Sequence, residues 1–129
     1  MQFPEFIKLN YTYKKPESEV WVLNTDDLPL EKELIKDTQI VHLAPKSIGG
    51  NHKHSRIEWF IGIGDMEFVW QNEKGETQKE HMNPNGQITL IKVPPFVAHT
   101  VVNKSEDKPG ILFEMANAKM SDAEIVKII

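Results

Sequence analysis

Three of the five histidines fall into two patterns that point at one site: His52-x-His54-x-x-x-Glu58, and Pro94-x-x-x-x-His99-x-x-x-Asn103. On a strand, side chains two residues apart leave the same face about 6.6 Å apart, so His52 and His54 can turn both imidazoles onto one ion about 2 Å from each. Glu58 would lie about 13 Å further along a straight strand. Ser55 and Arg56 are therefore expected to turn the chain and start the next strand beside the first, bringing Glu58 back towards the imidazoles. His99 would arrive from a distant strand after Pro94-Pro95, a pair that stiffens the backbone and favours an extended approach. Three imidazoles and one carboxylate suit a divalent transition ion (Fe, Mn, Ni, Co, Cu or Zn), with one or two positions left for water or substrate. The chain contains no cysteine, which excludes thiolate ligands, disulfides and cysteine nucleophiles.

The elements that must position these residues read as short strands. Turn signals recur at close intervals, and candidate strands cover residues 19–23, 38–44, 50–54, 57–63, 66–71, 78–82, 87–93, 99–103 and 110–115. Glu73-Lys74-Gly75-Glu76 reads as a hairpin turn, Asn83-Pro84-Asn85-Gly86 as a tight polar turn, and residues 105–109 as a charged loop. Connections this short make neighbouring strands antiparallel. Two segments read as helix: residues 28–36, and residues 121–129, where Ser121 and Glu124 have capping-box spacing.

A chain of 129 residues is expected to form a single domain over 1–129 around one core. With 40% apolar and 26% charged residues its composition is that of a globular protein. The net charge is −4, with 15 basic residues scattered among 19 acidic ones, so no nucleic-acid partner is expected. No basic leader precedes a long apolar run, and no apolar run is long enough to span a bilayer. The sequence is thus read as cytoplasmic, with no membrane partner.

On these motifs the chain resembles the cupin superfamily, whose signature runs are H-x-H-x-x-x-E flanked by glycines and G-x-x-x-x-x-P-x-G-x-x-H-x-x-x-N. His52, His54 and Glu58 match the first, and Pro94, His99 and Asn103 the second. Lys46, Asp65, Ile88 and Phe96 stand where the pattern has glycine, with Gly64 and Gly86 one and two residues from their expected places. The resemblance implies an all-β, double-stranded β-helix (jelly-roll) barrel, here with a short C-terminal helix over one edge or end. It also implies a metal held by His52, His54, Glu58 and His99.

The run GGNHKHSRIEWFIGIGDMEFVW is similar to the polysaccharide-biosynthesis and sugar-nucleotide branch, which contains isomerases and epimerases. That similarity implies a metal-binding enzyme of the same type acting on a small organic or sugar-derived substrate, with the ion as Lewis acid and Glu58 as catalytic base if released from the metal. The alternatives are a metal-dependent dioxygenase and a non-catalytic small-ligand-binding or sensor module. The resemblance further implies a homodimer, formed through barrel faces or by exchange of the apolar segment FPEFIKLNYTYKK.

The remaining polar and aromatic residues have plainer expectations. His42 and His81 read as ordinary strand histidines, and Arg56 as a solvated turn residue. Trp59, Phe60, Trp70 and Phe113 read as core. Lys92 and Glu114 read as members of a solvated strand face, and Phe96 as a side chain that reaches the cavity rim.

Overall fold

Alternation of inward and outward side chains is realised as two facing antiparallel sheets in a computed structural model describing residues 3–120 and 123–129. In chain order the strands are β1 (Glu5–Lys8), β2 (Tyr13–Lys14), β3 (Trp21–Val22), β4 (Asp37–Leu43), β5 (His52–Lys53), β6 (Glu58–Ile63), β7 (Met66–Gln71), β8 (Thr77–His81), β9 (Thr89–Val93), β10 (His99–Asn103), β11 (Gly110–Ala116) and β12 (Glu124–Ile125). One sheet runs β1-β9-β6-β11-β4, the other β12-β5-β10-β7-β8, and β2 with β3 makes a separate hairpin. This is the all-β jelly roll expected. No helix of the described residues is long and apolar enough to cross a membrane.

Strand β6 shows how the sequence builds both layers. Phe60 joins the cluster between the sheets, with Phe68, Met66, Val101 and Leu112, while its neighbours Trp59 and Ile61 join a second cluster on the outer side with Leu90 and Met115. A strand buried on both faces reads as a continuous apolar run, as residues 59–61 do. Each such side chain removed from water contributes about 1.5–3 kcal/mol.

The outer cluster is covered by the segment expected to be a helix at 28–36. It holds only one 3-10 turn, Lys32–Leu34, with another, Thr25–Asp27, just before it. Pro29 disfavours helical backbone at Leu28, whose ψ is 134°. Leu28, Leu30 and Ile35 then pack onto the outer cluster, and a spacing of two and five residues suits an extended strap.

Two further expectations change. The C-terminal helix is replaced by β12, which pairs Glu124 with Lys53 and Ile125 with His52; of its proposed cap, Ser121 lies outside the described residues. Ile125 is 86% exposed, so a helix here would have no apolar stripe to bury. Asn51 satisfies the segment's donors instead, its carbonyl accepting from Val126 N and its Oδ1 from Ile128 N and Ile129 N. Secondly, β5 and β6 are not hairpin neighbours. They belong to opposite sheets, and residues 55–57 carry the chain across. Within the N-terminal segment, β1 pairs along β9 from Glu5↔Lys92 to Lys8↔Thr89.

At the glycine departures the turn geometry persists. Lys46 and Phe96 both adopt left-handed backbone, with φ of 63° and 67°, although neither is glycine. Gly64 and Gly86 have positive φ beside Asp65 and Ile88.

Candidate metal centre

The crossing between sheets is what brings the signature residues together. His52 on β5 lies opposite His99 on β10 in the same sheet. Glu58 opens β6 in the facing sheet, and inward residues of two facing sheets meet across the interior. His54 sits on the connection, its carbonyl accepting a 2.7 Å hydrogen bond from Phe96 N and so tying it to the turn before β10. The result is a cluster in which nitrogen atoms of His52, His54 and His99 all lie within 4.8 Å of one another. Glu58 Oε1 lies 3.1 Å from His99 Nε2 and 3.5 Å from His54 Nε2. His54, Glu58 and His99 are buried and His52 is half-buried.

Electrostatics prepares these groups to donate lone pairs. Burial, followed by the neighbouring His54 and His99, pushes His52 down to about 4, so its ring is neutral near pH 7. Burial pushes Glu58 up, but the close approach of His99 and the hydrogen bond with Glu114 outweigh it and hold the carboxyl at about 2. His99 Nδ1 lies 2.8 Å from Val97 O. A carbonyl only accepts, so Nδ1 carries a proton, and Nε2 is the nitrogen turned to Glu58, which presents a lone pair when the ring carries that one proton alone.

That lone pair faces Glu58 Oε1 at 3.1 Å, and both atoms are buried with no hydrogen bond of good geometry. Two acceptors held this close repel unless a proton or a cation stands between them. A divalent ion on the three imidazoles and Glu58 is therefore a good fit to the donor set.

Above the cluster lies a cavity of about 220 Å³ whose wall includes His52, His99, Gln39, Phe60 and Glu114. Register explains the opposed wall residues: Glu114 on β11 pairs with Gln39 on β4 and with Phe60 on β6, so all three share the inward face. Phe96 does not narrow this cavity. Its left-handed backbone turns the side chain outward, where it is 63% exposed.

Arg56 and Glu114 depart from their expected solvated roles. Arg56 is buried, with Nε and Nη2 donating to Glu58 Oε2 at 3.1 and 2.8 Å, Nη2 to Glu114 Oε1 at 2.8 Å, and Nη1 to Asp37 Oδ2 at 2.9 Å and Ala118 O at 3.0 Å. It holds the Asp37 carboxyl below the usual range. Burial, then the hydrogen bond and charge of Glu58, pushes Glu114 up to about 8. The signal that could have found Arg56 is its even spacing from His54 and Glu58. His42 is exposed on β4, and His81 pairs with Asp65 at 3.1 Å on the surface. Lys92, between Glu5 and Trp59 in the first sheet, is not part of the cavity wall.

Comparison with solved structures agrees with the architecture. The chain is similar to a dTDP sugar isomerase of Desulfovibrio desulfuricans (TM-score 0.75, 15% identity, covering 96% of this chain and 83% of that one). It is also similar to a TDP-fucose 3,4-ketoisomerase of Campylobacter jejuni (0.65, 18%, 92% and 84%). A cupin 2 domain-containing protein of Halorhodospira halophila matches as well (0.60, 12%, 96% and 82%). No family model matches the sequence, and no curated protein does. The fold is thus that of the cupins.

Proposed function

We propose that this cupin-fold chain is a metal-binding enzyme of the isomerase type, holding one divalent transition ion on His52, His54, Glu58 and His99 and acting on a small polar carbonyl compound. The observation that carries the reading is the buried acceptor pair, His99 Nε2 against Glu58 Oε1 at 3.1 Å, inside a cluster of three imidazoles beside a cavity. A bound ion would supply Lewis-acid polarisation of a carbonyl or enolate oxygen. His52 and His99 present that centre to the cavity, and Phe60 with the other apolar wall residues excludes water. Glu114, with its carboxyl raised to about 8, keeps a proton at neutral pH on the same wall. We assign removal of the proton from carbon to the Glu58 carboxylate when released from the ion, Arg56 keeping hold of Oε2, and supply of a proton to the carbonyl oxygen to Glu114.

The similar sugar isomerases support a sugar-derived substrate. A single domain over 1–129, a homodimer, a small molecule as the sole partner class and a cytoplasmic location belong to the same proposal.

Dihydroxyacetone, a compact neutral hydroxyketone, tests the reaction class. With metal-reconstituted protein in deuterium oxide, deuterium should enter the carbon next to the carbonyl, and Glu114→Gln should slow this by about 100-fold or more. Saturable binding without deuterium entry would make the protein a binding module. Metal-dependent oxygen uptake would move it to the dioxygenases.

A further inference from the structure

We propose that Arg56 is a positioning residue that aims Glu58 at the ion through a single oxygen, an inference that rests on the metal reading above. A guanidinium has five N–H donors, and here all five are used: two on Glu58, one each on Glu114 and Asp37, and one on Ala118 O. The carboxyl partners come from three strands, β4, β6 and β11, and Ala118 lies just past β11, so the plane of Arg56 is fixed from several sides. Its side chain is 2% exposed.

The asymmetry of the contact is what matters. A guanidinium commonly grips both oxygens of a carboxylate with two parallel bonds. Nε and Nη2 of Arg56 instead converge on Oε2 alone, at 3.1 and 2.8 Å. Oε1 is left with no hydrogen bond, 3.1 Å from His99 Nε2 and 3.5 Å from His54 Nε2. Arg56 thereby selects which oxygen faces the imidazoles and keeps the other from the ion. The carboxylates of Glu58 and Asp37, with the Glu114 carboxyl accepting a further hydrogen bond, let a cation stay buried beside a metal centre, since a buried charge is retained only when it is paired.

The test uses the full chain loaded with cobalt(II). Affinity is measured by chelator competition for wild type, Arg56→Lys and Asp37→Asn. Lysine keeps the charge but loses the planar fork, and Arg56→Lys should weaken cobalt binding by about 10–100-fold. Asp37→Asn, which touches Arg56 but not Oε2, should stay within about threefold, well below that outer-partner effect. In the infrared, the carboxylate bands that disappear in Glu58→Gln should show, in loaded wild type, the wide separation of a one-oxygen ligand, narrowing in Arg56→Lys.

A folded Arg56→Lys with wild-type affinity overturns the proposal. So does a narrow, two-oxygen separation in wild type, a measurement that decides the matter even if Arg56→Lys does not fold. Loaded wild type beside an unaffected variant would fail this inference alone, whereas wild type that takes up no cobalt would fail the metal reading and this proposal with it.

Discussion

His99 divides its two ring nitrogens between structure and chemistry. Nδ1 is committed to Val97 O at 2.8 Å, and Nε2 is left pointing at Glu58. Removing the ring should cost more metal affinity than the roughly 10–100-fold typical of an outer partner. Calorimetric titration of His99→Ala with cobalt(II) checks this, and an affinity equal to wild type would remove His99 from the site. At this scale the clustering of the four signature positions was legible from the two patterns, but not its route, since His54 lies past the end of β5 and Glu58 reaches the imidazoles from the facing sheet. Arg56 and Glu114 were not legible, because a polar residue in a turn or on a half-polar strand looks the same in sequence whether it meets water or three buried partners. Their roles appear only once β4, β6 and β11 are side by side.

Among the elements, the turn before β10 does the most to set the site, since Phe96 N holds the His54 carbonyl while Phe96 itself occupies left-handed backbone at φ 67°. A side chain in that region costs about 1–2 kcal/mol, and glycine costs nothing there beyond its entropy in the unfolded chain. Phe96 is 63% exposed and contributes little burial in return. Phe96→Gly should therefore stabilise the protein by up to about 1 kcal/mol, raising the melting temperature by a few degrees with metal affinity intact. A lower melting temperature would show that the ring makes contacts outweighing the strain. The central strands were legible from alternation and turn residues. Residues 28–36 and 123–129 were not, because both lie on the surface as short apolar-and-charged stretches whose form is decided by what they cover. The first follows the outer face of β6 and β9, and the second follows the open edge of β5.

Over the whole molecule, the buried titratable groups make the stability of the metal-free protein depend on pH in a defined way. Glu58 is lowered from 4.5 to about 2, so its contribution is present above about 4.5 and lost as pH falls through 2. His52 is lowered from 6.5 to about 4, so its contribution is complete above 6.5 and lost as pH falls towards 4. Glu114 is raised from 4.5 to about 8, so its contribution is complete below 4.5 and lost as pH rises through 8. Between 4.5 and 6.5 the His52 and Glu114 slopes oppose each other. Thermal melts of metal-free protein should thus give a plateau in that interval, a steep loss on the acid side and a decline between 6.5 and 8. Glu114→Gln should abolish the upper decline, and a decline that persists in this variant would assign it to another group.

Every role assigned to the buried cluster depends on whether it holds an ion. Elemental analysis of protein purified without a chelating resin, alongside His54→Ala prepared in the same way, addresses this most directly. The arrangement of His52, His54, Glu58 and His99 predicts close to one divalent transition ion per chain in wild type and a small fraction of that in His54→Ala. Wild type that carries no stoichiometric ion, even after reconstitution, would contradict the metal-centre reading, and so would equal metal in both proteins.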